Sequence, residues 1–293
     1  MSHSLTLPAP AKLNLMLHIT GRRADGYHEL QTLFQLLDYG DRLHFELAED
    51  RARGPHIELA DSAGIPGPDN LINRAAASLQ PHARLPVAVR VRLDKVLPVG
   101  GGLGGGSSDC ATTLLALNEF WHCGLSRSDL VRLGTTLGAD VPLFVRGHSA
   151  WAEGIGERLH PVDLPARWFV VCQPDSAVST RAVFTDPGLT RNSQITTIRT
   201  ALEGGGRNDC EPVVRRRYPE INTMLDTLSA YGPARLTGTG ACAYTVFEQE
   251  GAARSAAADL AAQYRTFVAP GINRSPVIDL LPTLSDLTAP YIS

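Results

Sequence analysis

Pro98-Val99-Gly100-Gly101-Gly102-Leu103-Gly104-Gly105-Gly106-Ser107-Ser108 sets six glycines around a single leucine. The alternating run Val87 to Leu93 precedes it, and the apolar, leucine- and alanine-rich run Asp109 to Asn118 follows directly. This order predicts a strand, a glycine loop and a helix. Glycine has no Cβ, so such a loop can take left-handed backbone conformations and lie close against a ligand. Ser107 and Ser108 are expected to open the helix, whose free N–H groups and dipole favour an anion. The combination suits a polyphosphate.

Several known phosphate loops fit poorly. A Walker A loop requires Lys-Ser or Lys-Thr after its last glycine, whereas Gly106 is followed by two serines. Gly100-x-Gly102-x-x-Gly105 matches the dinucleotide fingerprint, but no acidic residue ends a second strand about 20 positions later. Protein kinases place a valine where Ser107 stands. A flexible Gly/Ser linker is the bland alternative. The embedded Leu103, the leading Pro98 and the abrupt helix start speak against it.

The 293 residues suffice for one large or two ordinary domains, and 43% hydrophobic against 19% charged residues is an ordinary globular balance. A net charge of −3 argues against binding nucleic acid through phosphate neutralisation. No apolar run approaches the roughly 20 residues that span a bilayer, and Met1 to Thr6 resembles neither a signal nor a transit peptide. Five scattered cysteines form no metal-type pair, so a reducing cytoplasm is expected, with no membrane, nucleic-acid or obligate protein partner.

Lys12 to Ile19 alternates, which predicts a strand with Lys12, Asn14 and His18 on one face and Leu13, Leu15, Leu17 and Ile19 on the other. Gly21 to Gly26 reads as a hairpin turn, Tyr27 to Leu37 as the returning strand and Asp41 to Leu47 as another. A polar surface stretch covers Glu49 to Pro68, and Asp69 could cap a helix over Asn70 to Leu79. Ser126 and Asp129 have capping-box spacing for a helix reaching about Gly138. Composition shifts between Arg158 and Asp163, and a fresh strand begins at Arg167 to Cys172. Further on come a polar loop at Asp186 to Ser193, a helix over Tyr218 to Ala230, a strand at Ala243 to Phe247 and a helix over Ala252 to Gln263. Early strands with later helices predict an α+β architecture.

Four other places could carry chemistry. Asp140, in Gly138-Ala139-Asp140-Val141-Pro142, follows a helix whose dipole disfavours it. The apolar residues behind it suggest a partly buried site of the kind that suits a general base. Capping of the next turn is the structural alternative. Lys12 and Lys95 are the only lysines beside 25 arginines, so a lysine inside a strand suggests a required point charge. The alternative is a lysine snorkelling to water. Leu236-Thr237-Gly238-Thr239-Gly240-Ala241 is a second glycine loop that is either a tight turn or a second phosphate contact. Tyr27, His28 and Phe184 offer aromatic faces beside hydrogen-bonding groups, though each could equally be packing. Phe120 and Trp121 fit helical core spacing, and Arg215-Arg216-Arg217-Tyr218 reads as a solvated helix end.

Taken together, the chain resembles the GHMP kinase superfamily along nearly its whole length. Ala9 to Leu15 resembles the first family motif, Pro98 to Ser108 the second and Leu236 to Ala241 the third. Arg22 to Leu30 and Gly138 to Pro142 resemble the branch that phosphorylates 4-diphosphocytidyl-2-C-methyl-D-erythritol in non-mevalonate isoprenoid synthesis. The resemblance implies a two-domain GHMP kinase fold. Residues 1–160 would carry the ATP phosphate loop, residues 161–293 would form a ferredoxin-like domain, and the site would lie in the cleft. It implies transfer of phosphate from ATP to the 2-hydroxyl, with Asp140 as base and Lys12 holding the hydroxyl. Pro98 to Ser108 would wrap the phosphates. Tyr27 and Phe184 would sandwich cytosine with His28 on its edge, and Asn14 and Thr180 would touch substrate. Arg181 departs from the pattern, which has a proline or small residue there. Magnesium is expected, with no metal ligand assigned. The alternatives are mevalonate- or homoserine-type phosphorylation, an inactive nucleotide-binding protein, and an NAD-dependent oxidoreductase.

Overall fold

In a computed structural model of the chain, residues 4–48, 54–60, 64–65, 67–203 and 206–281 are described; much of the expected Glu49 to Pro68 stretch, and Met1 to His3, lie outside them. The alternating run around Lys12 becomes part of a long antiparallel hairpin of β1 (Ser4–Arg22) and β2 (His28–Leu47), whose register runs from Ser4 opposite Glu46 to Arg22 opposite His28. The expected strands Tyr27 to Leu37 and Asp41 to Leu47 are therefore one. It passes β1 tightly at Gly40, where a Cβ would stand 2.1 Å from the Ala9 carbonyl oxygen.

The alternation of β1 is broken where it matters. Asn14 lies opposite Phe34 but Met16 lies opposite Leu33, so Leu15 is bulged out. A bulge exchanges the two faces beyond it. Leu17, opposite Thr32, thus joins Lys12 and Asn14, while His18, opposite Gln31, turns to the other side. This corrects the expected placement of His18 and Leu17.

β3 (His56–Leu59) runs parallel to β4 (Ala88–Asp94), which pairs antiparallel with the end of β2. Between them α1 (Leu71–Leu79) is capped by Asn70, whose side chain accepts from Ile72 N; Asp69 stands one residue too early to be the cap. After the glycine loop come α2 (Gly105–Phe120), α3 (Arg127–Leu137) and α4 (Val141–Arg146). Ser126 and Asp129 close the expected capping box on α3. Helices α1 to α4 bury Phe34, Leu36, Leu43 and Phe45 of β2, with Phe120 and Trp121 fully buried among them. The Trp121 indole donates to Val87 O at 2.9 Å.

β5 (Ala150–Gly154) pairs with β2 and with β6 (Arg158–Pro161). The second half contains β7 (Trp168–Gln173), α5 (Thr180–Phe184), α6 (Ile198–Leu202), α7 (Glu211–Arg217), α8 (Pro219–Leu228), β8 (Arg235–Leu236), β9 (Ala243–Phe247), α9 (Glu250–Leu260) and β10 (Arg265–Ile272). The spatial order β10-β7-β9-β8 is that of a ferredoxin-like βαββαβ unit. Gly271 and Ile272 of β10 pair with Leu37 and Leu36 of β2, so one sheet runs through both halves. A small shared core of Ala11, Leu13, Leu37 and Leu103 with Phe169, Val171 and Tyr244 seals that junction.

Candidate active site

The glycine loop leaves β4 and enters α2 through Gly104, whose φ of +73° is left-handed. Helix α2 starts at Gly105, so Ser107 and Ser108 are its third and fourth residues and not its cap. The loop is bolted to two other segments. Lys12 N donates to Leu103 O at 2.9 Å, Cys242 N to Gly101 O at 3.1 Å and Thr237 Oγ1 to Gly102 O at 3.2 Å. At Gly102 a Cβ would stand 2.2 Å from Thr237 O, so only glycine permits this contact. The second glycine loop therefore buttresses the first, and its Gly238, Thr239 and Gly240 line the neighbouring cavity.

Lys12 lies across this junction. Its side chain is 4% exposed, and Nζ stands 3.3 Å from Asp140 Oδ2, which is 32% exposed. Nζ also donates to Asn14 Oδ1 at 2.6 Å and lies 5.4 Å from the centre of the Phe34 ring. Asn14 in turn donates to Thr32 Oγ1 at 2.8 Å, fixing the amide so that its oxygen meets the ammonium. Lys12 does not snorkel. Asp140 occupies the N-cap position of α4 but makes no capping hydrogen bond with its side chain. It thus stands just beyond the end of α3, as expected, and also at the positive end of α4, which offsets the dipole of α3.

Two cavities meet here. One, of about 460 Å³, is bounded by Pro98, Val99, the glycines and Ser107 of the loop, by Asp69 to Ile72 and by Lys95 and Asp109. The other, of about 270 Å³, is bounded by Lys12, Asn14, Thr32, Phe184 and the Gly238 to Gly240 loop. Gly100, Gly102, Gly104, Ser107, Asp140 and Thr180 line both. Thr180 Oγ1 lies 3.0 Å from Thr239 Oγ1. An elongated phosphate donor in one cavity and an alcohol in the other would meet beside Asp140 and Lys12.

Sequence reasoning missed a buried ionic triad under the loop. Lys95 Nζ contacts Asp41 Oδ2 at 2.5 Å and Asp109 Oδ2 at 2.8 Å. Asp41 Oδ1 accepts from Val96 N and Leu97 N at 2.7 and 2.8 Å, which sets the path into the loop. Burial, opposed by Lys95 and reinforced by Asp41, pushes the Asp109 carboxyl up to about 7. Burial alone would lower Lys95, but the two carboxylates outweigh it and hold the ammonium above its usual range. The scarcity of lysine that marked Lys12 applied equally to Lys95.

Of the aromatic residues, Phe184 lines the smaller cavity. Tyr27 belongs to the turn before β2 begins at His28, and it is 61% exposed. His28 stacks on Phe184 with ring centroids 5.1 Å apart and planes at 26°. Phe184 and Thr180 share α5, while Arg181 of that helix is exposed. The run Arg215 to Arg217 is not merely a solvated end. Arg216 and Arg217 pair with Asp186 at 2.6 and 2.8 Å and pin the loop beyond α5. All five cysteines are buried, and burial pushes the Cys110 and Cys242 thiols up to about 12, so neither resembles a nucleophile.

Comparison with known proteins agrees with this geometry. Residues 70–148 match the GHMP kinases N terminal domain and residues 188–266 the GHMP kinases C terminal domain. A 4-diphosphocytidyl-2-C-methyl-D-erythritol kinase of Pseudomonas aeruginosa is 54% identical over 97% of this chain and 100% of its own length. One of the same name from Marinobacter nauticus is 53% identical over 93% of this chain and 96% of its own. A crystal structure of 4-(cytidine 5'-diphospho)-2C-methyl-D-erythritol kinase superposes with a TM-score of 0.81 at 34% identity, covering 91% of this chain and 99% of that one. The Methanococcus jannaschii mevalonate kinase shares the fold at a TM-score of 0.64 and 15% identity over 92% of this chain and 98% of that one. With both domains matched in order and relatives more than half identical along nearly its whole length, the chain belongs to the GHMP kinases.

Proposed function

We propose that this kinase transfers the γ-phosphoryl group of ATP to the 2-hydroxyl of 4-diphosphocytidyl-2-C-methyl-D-erythritol. The observation that carries the reading is the pairing of Lys12 with Asp140 where the two cavities join. The full-length relatives of that name favour this acceptor over mevalonate or homoserine. Asp140 accepts the hydroxyl proton as the oxygen attacks phosphorus. Lys12, desolvated and close by, stabilises the developing alkoxide. Pro98 to Ser108, at the start of α2, cradles the phosphates with backbone N–H groups. Asn14 and Thr180 orient the acceptor, and Tyr27, His28 and Phe184 take the cytosine ring.

Magnesium fits the donors present. Asp109 lines the larger cavity, and its Oδ1 is buried without a hydrogen-bond partner. Among the described residues no cluster of three His, Cys, Asp or Glu forms a protein cage. Magnesium in kinases typically takes one or two carboxylates plus phosphate oxygens and waters. Asp109, with Ser107 nearby on α2, would hold it, and when bound it neutralises charge across the β- and γ-phosphates. The expected setting is the cytoplasm; among the described residues no helix is long and apolar enough to cross a membrane.

A coupled ADP-release assay with ATP, magnesium and the cytidine diphosphate substrate tests the proposal. Turnover should exceed that with mevalonate or homoserine by orders of magnitude. Base–aromatic stacking is worth about 1–3 kcal/mol per base, so Tyr27→Ala or Phe184→Ala should weaken this substrate roughly 5- to 150-fold. KM for ATP should stay unchanged. Wild-type affinity in both variants would remove the cytidine assignment.

A further inference from the structure

Arg191 lies in the loop beyond α5, and nothing in the motif pattern marks it. Its Nε–H faces His28 Nε2 at 3.2 Å. The rest of the guanidinium is spoken for. Its two terminal nitrogens donate to Leu189 O at 3.1 Å, to Phe184 O at 2.9 Å and to Asp186 O at 2.8 Å. The Asp186 carboxylate is itself held by Arg216, Arg217 and the Gly188 N–H. One side chain thus ties together the imidazole of His28, the backbone of the ring stacked on it and a loop anchored to α7.

The chemistry of the contact is one-sided. A guanidinium carries donors only, so Nε2 must present its lone pair. The neutral ring then keeps its proton on Nδ1, and among the described residues no group hydrogen bonds to that atom. Two cations face the imidazole: Arg191, and Arg22, paired opposite it on β1. Glu29, next to it on β2, is engaged by Arg23. Burial first, then Arg191 and Arg22, hold His28 below the usual histidine range, so the ring is neutral near pH 7.

We propose that Arg191 is a positioning residue that fixes His28 as an Nδ1–H donor and so gives the pocket its preference for cytosine over uracil. It rests on the cytidine reading above. Cytosine presents a lone pair at N3, which accepts from such a donor. Uracil presents N3–H, which opposes it. Confronting two donors leaves both unsatisfied, which corresponds to roughly 5- to 150-fold in affinity.

Two measurements test this without relying on turnover. Nitrogen-15 NMR of the histidine rings of the wild-type protein should show His28 as the Nδ1–H tautomer, the minor form of free histidine. Calorimetry with cytidine 5′-monophosphate and uridine 5′-monophosphate should show the cytidine preference falling at least about 5-fold in Arg191→Met. Arg191→Lys, still a donor-only cation, should retain most of it, and KM for ATP should be unchanged in both. Arg191→Ala, which likewise has no side-chain donor, replaces Arg191→Met if the latter fails to fold. An Nε2–H tautomer in the wild type, or an unchanged preference in a folded variant that lacks a side-chain donor at position 191, would overturn the proposal. Failure of the diphosphocytidyl substrate to turn over, with the monophosphate preference intact, would instead sink the reading of the overall reaction.

Discussion

At the scale of residues, the site turns on one buried cation that has not been neutralised by a dedicated structural partner. Lys12 is almost wholly desolvated, yet its carboxylate neighbour Asp140 is a third exposed and opens onto both cavities. Here one partner stays accessible to substrate. Asp140→Asn should fold and bind ATP normally while kcat falls on the order of 10²- to 10⁴-fold. Calorimetric ATP titration beside steady-state kinetics checks both halves. Lys12→Met should depress kcat more than substrate affinity, because its charge matters most as the alkoxide develops. Lys12 and Asp140 stood out in the sequence through rarity and motif position; Arg191 had neither mark, and Lys95 shared the rarity of Lys12 but lay in no recognised motif. Their partners lie 163 residues away at His28 and 54 away at Asp41, and such pairings exist only once the chain is folded.

At the scale of elements, α2 begins at the end of the glycine loop and contributes Asp109 to the triad beneath it. Gly106 is exposed, and a Cβ there would meet only Leu71 Cδ1 at 3.7 Å. Gly106→Ala should leave stability unchanged or raise it by about 0.5 kcal/mol. It should still raise KM for ATP roughly 10-fold or more, because the methyl group enters the phosphate path. Thermal melts and ATP kinetics on the same preparation separate the two effects. The triad predicts a pH signature. The folded Asp109 carboxyl titrates at about 7, well above its unfolded value, so between about pH 4 and 7 the folded chain keeps a proton that the unfolded chain releases. Its contribution to stability therefore falls as pH rises through that window. The amide of Asp109→Asn has no such proton, so this variant should gain on wild type by on the order of 2 kcal/mol between pH 5 and pH 8. Urea melts without nucleotide or metal would show it, and a pH-independent difference would refute the shift.

At the scale of the whole molecule, the proposed division at residues 160 and 161 cuts the sequence but not the packing. β10 returns to pair with β2, and Phe169, Val171 and Tyr244 pack against Ala11, Leu13 and Leu103 beside the glycine loop. Tyr244 OH donates to Asn14 O at 3.1 Å, tying the second half directly to a residue that lines the smaller cavity. The chain should therefore melt in one cooperative transition, with calorimetric and van't Hoff enthalpies equal. ATP at about 100 times its Kd should raise the stability of the whole transition by about 2.7 kcal/mol. Two transitions, of which ATP moves only one, would show the halves to be energetically separate.

The sequence by itself determined the glycine loop, the capped helix α3, the α+β class and the family, because each rests on local backbone preference or on contiguous motifs. The Ser126–Asp129 capping box and the glycines around Leu103 are legible since their geometry is fixed within a few residues. Only the tertiary structure decided which side of β1 faces the site. Alternation continues through Leu15 in the sequence, and the bulge that sends His18 away and brings Leu17 in is a consequence of pairing with β2. The same holds for the Lys95 triad and for Arg191. A charge buried by folding finds its partner among residues distant in the chain, and no local pattern records which one it will be.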